Sequence, residues 1–249
     1  QQQLREAERQ CAVVDYMDDV MREVMEAKVA QLEKDVENAA ADVTATLVSM
    51  IDRTAVDLEL PESLTKIGAN AFRSCETLKS ITLPAGLTSI GSEAFFSCNK
   101  LAELTLPMGV TTVMPHTFSS CNSLSKVSLP ETVTRIQSCA FQNCNNLKSL
   151  KLPAQLEEID NQAFTGCRFT QMEFPEALQS LGAYLFMNSS TLASVTFKGV
   201  PTNIDTTAFG AIYTIGFTIN VPWAEGEVSG APWGATNATI NYNYTEGET

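Results

Sequence analysis

The first sixty residues of this sequence contain no glycine and no proline, although the chain of 249 residues holds 13 glycines and 10 prolines. No helix breaker or tight-turn residue therefore interrupts that region. The chain also lacks a run of about 18 apolar residues, so we expect no membrane insertion. Its single histidine, His116, leaves no partner for a histidine-rich metal site. A net charge of −13 argues against a nucleic-acid-binding surface.

The residues before the first proline have the pattern of one long amphipathic helix. Ala, Glu, Gln, Met, Leu and Val dominate the region, and apolar residues recur three or four positions apart, as at Val14, Met17 and Met21. Fifty helical residues would form a rod of about 75 Å, longer than one small domain can cover. We therefore predict a coiled coil of identical copies through residues 1–55, either dimer or trimer. The alternative is a bend near Lys28 that lets part of the helix cap the next domain.

The rest of the chain is a repeat of 23 residues. The pair Leu-Pro recurs at this step from Leu60-Pro61 to Leu152-Pro153, and Phe174-Pro175 follows after 22 residues. Three apolar columns keep the same step: Phe72, Phe95, Phe118, Phe141, Phe164, Phe186 and Phe209; Ile67, Ile90, Val113, Ile136, Ile159, Leu181 and Ile204; and Leu78, Leu101, Leu124, Leu147, Leu192 and Ile215. We count about seven units, of which the last is degenerate.

Each unit predicts two short strands joined by a turn. The closing stretch, as in residues 79–83, alternates polar and apolar residues, which is typical of a half-buried strand, and a second strand is expected at residues 88–90. The Ala-Phe pair between the strands suits a short helical or 3₁₀ turn. One unit cannot bury its apolar face alone, so neighbouring units stack and their strands pair in parallel at about 4.8 Å. We predict an α/β solenoid over residues 56–199, with the degenerate repeat and a β-rich C-terminal cap over residues 200–249.

The units resemble the BspA-like leucine-rich-repeat family. They carry its L-P, I-G, A-F and C-x-x-L landmarks from residue 58 to about residue 221, most clearly between residues 60 and 167. The resemblance implies a leucine-rich-repeat solenoid of a bacterial surface-protein type, with adhesion as the expected role. Ser189 in place of the cysteine, and one residue missing after Cys167, depart from the pattern and affect the regularity of the last two turns.

Five cysteines share one position of the unit: Cys75, Cys98, Cys121, Cys144 and Cys167. Stacked thiols about 5 Å apart could bind a soft metal or form disulfides. We favour a third interpretation, in which the cysteine is a small buried residue that packs the corner before the strand. Cys11 and Cys139 lie outside the column, and no motif predicts a metal or a cofactor.

Candidate binding residues lie on the outward face of the closing strands, where short polar side chains recur. They are Thr82, Glu103, Thr105, Lys126, Ser128, Lys151 and Glu173. A merely solvated sheet face is the alternative. Trp223 and Trp233 occupy matching Pro-Trp contexts near the C-terminus, where we expect a cap over the open end of the solenoid. A carbohydrate-stacking site is the second interpretation of these two rings.

Neither the lone histidine nor the carboxylates predict an enzyme. We expect His116 at an exposed turn, and the acidic cluster of Glu157, Glu158 and Asp160 as surface charge. The sequence therefore favours a non-enzymatic binding or adhesion module, in which an oligomeric stalk displays a solenoid that recognises a cell-surface protein or glycan. A phage tail-fibre or virion-associated receptor-binding component is the alternative, because the tail resembles the endings of prophage-associated repeat proteins. Either function implies an extracellular place, although no secretion signal is visible in this chain.

Overall fold

The structure is a computed structural model that describes residues 57–245. The helix and coiled coil predicted over residues 1–55 lie outside these residues. The described residues belong to one compact unit of the chain. Their regular elements are all short β-strands, and within them no helix has the length and hydropathy to cross a bilayer.

Every turn but one contributes a closing strand, which ends the repeat unit, and most turns add a second strand. The closing strands are β1 (Asp57–Glu59), β3 (Ser80–Thr82), β5 (Glu103–Thr105), β7 (Lys126–Ser128), β10 (Gln171–Phe174), β12 (Ser194–Phe197), β14 (Thr218–Asn220) and β15 (Thr239–Asn241). The second strands are β2 (Lys66–Ile67), β4 (Ser89–Ile90), β6 (Thr112–Val113), β8 (Arg135–Ile136), β9 (Glu158–Ile159), β11 (Ser180–Leu181) and β13 (Asn203–Ile204).

Most strands pair in parallel with the equivalent strand of the next unit, which confirms the predicted solenoid, although β3 is not paired with β5, nor β4 with β6. Leu58 pairs with Ile81 and Leu104 pairs with Val127, so the register equals the repeat length. The longest sheets run in the order β10-β12-β14-β15 and β13-β11-β9-β8-β6. The result is a parallel β-solenoid of about 8 turns of about 23 residues, one turn more than the sequence count. The extra turn arises because β14 and β15 continue the sheet of β10 and β12 through the predicted cap region.

The segment between the two strands forms consecutive tight turns, so the predicted helical or 3₁₀ turn is wrong for the described repeats. In one unit Glu93 and Ser97 both have φ of 58°, and each left-handed residue stops a right-handed helix. Amide groups then alternate between two kinds of acceptor. The N–H of Ala94 bonds to Gly91 O within its own turn, whereas the N–H of Phe95 bonds to Thr117 O of the next unit. The turns are therefore hydrogen-bonded to their neighbours like the strands.

The phenylalanine column packs through the centre of the solenoid. Phe72 and Phe95 stack with their ring centroids 5.1 Å apart, and Phe118 and Phe141 stack at 5.3 Å. Their rings are buried, as are those further along the column to Phe209. Except for Phe186, which follows Leu185, each Phe of the column follows a small buried residue, which lets the turn approach the core closely. Burial of this continuous apolar column stabilises the stack of turns.

The leucine column differs from the prediction at two positions. Phe169 fills the column in the unit that is one residue short, and it is fully buried. Ile215, which we placed in the column, is 96% exposed, and Phe217 occupies the core instead. The reason is an extra residue, since Ser194 pairs with Thr218 at a spacing of 24 rather than 23. The surplus is accommodated in a bulge that places Ile215 in solvent.

Candidate functional site

The polar residues predicted on the closing strands share one exposed face. Thr82, Glu103, Thr105, Lys126, Ser128 and Glu173 lie on β3, β5, β7 and β10, and all are exposed. The apolar residues between them, such as Ile81 and Leu104, are buried. Neighbouring strands bring these polar residues together, since Glu103 pairs with Lys126 and Thr105 with Ser128.

The ion pair across this face is weak. Lys126 Nζ lies 3.9 Å from Glu103 Oε2, and the two side chains are 77% and 69% exposed. Solvent screens such a pair, so it contributes little to stability. The charges therefore remain accessible to a partner.

The sheet on this face is interrupted between β3 and β5, which are not paired, and again between β7 and β10, where one closing strand is absent. Residues 148–152 occupy the position of a closing strand in their repeat unit but do not form a strand. None of their backbone N–H or C=O groups bonds to the backbone of a neighbouring turn. Lys151, the seventh predicted strand-face residue, is exposed on this unpaired segment.

A groove of about 910 Å³ opens along this interruption, and we call it the sheet-gap groove. One wall is the segment from Ser149 to Gln155, and the other runs from Gln171 to Ala177; Glu131 and Lys198 complete the lining. Two predicted site residues, Lys151 and Glu173, therefore lie in one groove, while Glu103 and Lys126 lie on the flat face beyond it.

The interruption coincides with the shortened unit. Nine positions separate Cys144 from Pro153, but only eight separate Cys167 from Pro175. The last lateral bond before the groove, from Arg168 N to Leu147 O, joins residues only 21 apart. This short loop brings the chain into β10 one residue out of step with the preceding turn. Residues 148–152 are unpaired with β7 as well, although the spacing on that side is the regular 23 residues.

The sheet-gap groove has an apolar floor and charged rims. Leu150, Leu152 and Met172 form the floor and are 9%, 7% and 2% exposed. Lys151 Nζ lies 3.6 Å from Glu131 Oε1 on one rim. On the other rim, Lys198 Nζ lies 2.9 Å from Glu173 Oε2. Glu176 adds a further carboxylate, so the groove carries three acidic and two basic side chains.

Both tryptophans are buried, which does not fit the carbohydrate-stacking interpretation. Trp223 is 3% exposed and Trp233 is fully buried. The indole N–H of Trp233 donates to Ser229 O at 2.9 Å, and the backbone oxygen of Trp233 accepts from Phe209 N at 2.9 Å. The ring of Trp233 packs 6.3 Å from Phe209, the last residue of the phenylalanine column, and the ring of Trp223 packs 5.3 Å from Phe197 of β12. This is the geometry of a cap.

The five cysteines of the repeat column are buried and form no disulfide. Four of them donate from Sγ to the carbonyl oxygen of a phenylalanine one turn earlier, at 3.0 to 3.1 Å. Burial raises the pKa of the Cys98, Cys121 and Cys144 thiols. Within residues 57–245 no cluster of three or more His, Cys, Asp or Glu has metal-binding geometry. The column therefore serves packing and hydrogen bonding between turns.

The lone histidine and the acidic cluster, the other residues considered for catalysis, do not come together in one site. His116 is half-buried at a left-handed turn position with φ of 54°, and Cys139 occupies the same position of the next unit. Arg135 lies between two of the three predicted surface carboxylates, with Nε 3.1 Å from Glu158 Oε2 and Nη2 3.2 Å from Asp160 Oδ1. Its Nε makes no aligned hydrogen bond, so the contact to Glu158 is an ion pair only.

Of the residues that line the sheet-gap groove, the predicted site residues include only Lys151 and Glu173; those that were missed include Glu131, Leu152, Met172 and Lys198. The columns of the repeat treat every closing strand as equivalent, so they mark no single turn as different. The signal that could have found the groove is the missing residue after Cys167. That deletion is visible in the sequence, but its effect on the pairing of the strands is not.

Comparison with solved structures finds bacterial leucine-rich-repeat proteins at low identity. A leucine-rich repeat protein from Bacteroides ovatus is 18% identical with a TM-score of 0.42, over 76% of this chain and 61% of that one. A leucine rich cell surface protein from Faecalibacterium prausnitzii is 20% identical with a TM-score of 0.40, over 77% and 80% of the two chains. The pneumococcal vaccine antigen PcpA is 17% identical with a TM-score of 0.48, over 77% and 69%. This chain thus spans less than two thirds of the length of the Bacteroides ovatus protein.

The repeat region of the sequence shows to which family the chain belongs. No curated protein matches the chain. The family described as BspA type leucine rich repeat region (6 copies) matches residues 53–167 and 112–222, which together cover more than half of the sequence. The chain belongs to the BspA-type leucine-rich-repeat family.

Proposed function

We propose that this protein is a non-enzymatic binding module that recognises a cell-surface protein or glycan through the face of its closing strands. The observation that carries the proposal is the alternation along these strands of exposed polar residues, such as Thr105, with buried apolar residues, such as Leu104. Repeat solenoids offer such extended faces to partners. An adhesion role agrees with the family to which the repeats belong.

The proposal places the protein outside the cell, on a bacterial surface or a virion. The repeat family favours a location on the cell surface. The alternative of a phage tail-fibre component stays a prediction.

We also propose that the stalk predicted over residues 1–55 joins copies of the chain. Several solenoids on one stalk would present the same face repeatedly, and linked sites bind a surface more tightly than a single site does. Light scattering after size-exclusion chromatography of the full chain measures the copy number. A mass of two or three times 27.0 kDa supports the proposal, and a mass of 27.0 kDa contradicts it.

A glycan and surface-protein array probed with the full chain tests the binding function. If the strand face binds, Glu103→Lys should weaken capture at least tenfold, because the residue is exposed at the centre of that face. Glu76→Lys is the matched control, since it makes the same charge change at an exposed position just after Cys75, outside the closing strands. Equal loss in both variants, or capture of no array component by the wild type, would contradict the proposal.

A further inference from the structure

The two walls of the sheet-gap groove carry backbone groups that have no protein partner. Residues 148–152 make no backbone hydrogen bond to β7 or to β10. On the other wall, β10 is the edge strand of its sheet and pairs only with β12. A sheet edge with free N–H and C=O groups is a template for another extended chain.

The hydrogen bonds from β10 to β12 show which backbone N–H and C=O groups of β10 face the groove. Lys198 N donates to Phe174 O, and Ser194 N donates to Thr170 O, so the carbonyl groups of even-numbered residues point toward β12. Successive backbone groups of a strand point in opposite directions. The N–H and C=O groups of Gln171 and Glu173 therefore point into the groove.

The lining of the groove favours a peptide over a sugar. It holds no aromatic side chain on which a sugar ring could stack, and its floor consists of Leu150, Leu152 and Met172. An extended peptide satisfies both features, because its backbone pairs with the free edge while alternate side chains contact the apolar floor. Three acidic against two basic side chains in the groove, and a chain net charge of −13, favour a peptide that carries a basic residue.

We propose that the sheet-gap groove binds an extended peptide segment of about five residues, with aliphatic and basic side chains, by strand addition between residues 148–152 and β10. Five extended residues span about 16 Å, somewhat more than the four residues of β10. The inference rests on the proposed binding function and specifies its partner as a polypeptide.

A substitution at the mouth of the groove separates this site from the rest of the face. Ala154 is exposed and lines the groove. Ala154→Arg would fill the groove with a long side chain and leave intact the bond from Ala154 N to Glu131 Oε2. Ala85→Arg is the matched control, because Ala85 follows the same Leu-Pro pair three units earlier, is equally exposed and lies outside the lining. Equal thermal unfolding midpoints establish that both variants fold.

The probe is a random heptapeptide library, selected against the full wild-type chain. The expected peptides bind the wild type and Ala85→Arg equally, bind Ala154→Arg at least tenfold more weakly, and lose binding when alternate backbone nitrogens are N-methylated. Recovery of no peptide, equal binding to both variants, or indifference to N-methylation would overturn the proposal. Glycan capture that is lost only in Ala154→Arg would also overturn it, because the groove would then hold a sugar.

The outcome is distinguishable from that of the proposed function. If Glu103→Lys abolishes array capture while Ala154→Arg leaves it unchanged, the strand face binds its partner and the groove proposal fails. If the selected peptides depend on Ala154 but the array captures nothing, the groove proposal stands and the proposed recognition of a surface fails.

Discussion

The Sγ atom of Cys121 donates a hydrogen bond of 3.0 Å to the backbone carbonyl oxygen of Phe95, 26 residues earlier in the chain. The same bond recurs in three other turns, from Cys98, Cys144 and Cys167. The cysteine column therefore links each turn to the one before it. A purely apolar residue of similar size would fill the space without making this link.

Cys121→Ser should lower the free energy of unfolding by about 1–3 kcal/mol, because a buried hydroxyl without a partner is costly. This chain supplies the precedent: Ser189 replaces the cysteine in a later turn, and its buried Oγ has no hydrogen-bond partner. Cys121→Ala is the control, since Phe95 O retains the hydrogen bond from Cys98 N. Urea unfolding followed by tryptophan fluorescence measures both. A serine variant more stable than the alanine variant would contradict this account.

Thiol labelling should separate the column from Cys139. The five column cysteines are buried, whereas Cys139 is partly exposed. An alkylating reagent at pH 8 should therefore modify Cys139 in the native protein and reach the column only in denaturant. Mass spectrometry of peptides digested after labelling identifies the modified sites. Modification of Cys98 or Cys121 at the rate of Cys139 would show that the turns open readily.

Stability should fall as the pH rises above about 9. Burial raises the pKa of Cys98, Cys121 and Cys144 above the value near 8.5 of an unfolded thiol. Above the pKa of the unfolded thiols, the unfolded chain loses the thiol protons while the folded chain keeps them, so the free energy of unfolding falls. Each thiol can remove up to about 1.4 kcal/mol per pH unit. Urea unfolding between pH 7 and 10 measures the slope, and Cys121→Ala should have a smaller slope; identical slopes would refute the assignment.

Gly166→Ala should destabilise the protein by about 1–3 kcal/mol. Gly166 has φ of 73°, and an added Cβ would lie 2.6 Å from Asn143 Oδ1. Gly86→Ala is the matched control, because its nearest atom would be Glu62 O at 3.8 Å and its backbone is not left-handed. We expect that variant to be unchanged or slightly more stable. Thermal unfolding compares the two, and equal losses would argue against the left-handed turn at Gly166.

Much of the fold follows from the 23-residue spacing. Leu58, Ile81 and Leu104 alternate with polar neighbours, which predicts strands, and their constant spacing predicts parallel pairing. The turn conformation could not be predicted in this way. Residues as different as Glu93, Cys139 and Gln162 occupy the same left-handed position, with φ of 57° to 58°. That conformation is imposed by hydrogen bonds to the next turn, which no residue type in the position signals.

The candidate site was only partly predictable for a similar reason. Lys151 and Glu173 are outward residues of their units, and alternation alone places them on the exposed face. The groove between them depends on the loss of strand pairing on both sides of residues 148–152, and only the side toward β10 coincides with the missing residue after Cys167. For Trp223 and Trp233 the sequence left two interpretations open, because their repeated Pro-Trp contexts suggested either a cap or an exposed site. Their burial against Phe197 and Phe209 favours the cap.

Hydrogen–deuterium exchange at residues 148–152 tests most directly the central claim that these residues form an unpaired part of the strand face and that a partner binds there. In the free protein these amides should exchange as fast as an exposed loop, while those of β12, which pairs with strands on both sides, should be strongly protected. Adding a selected heptapeptide should slow exchange at residues 148–152 and leave β12 unchanged. Protection of residues 148–152 equal to that of β12 in the free protein would mean that the sheet is continuous, and would contradict the account.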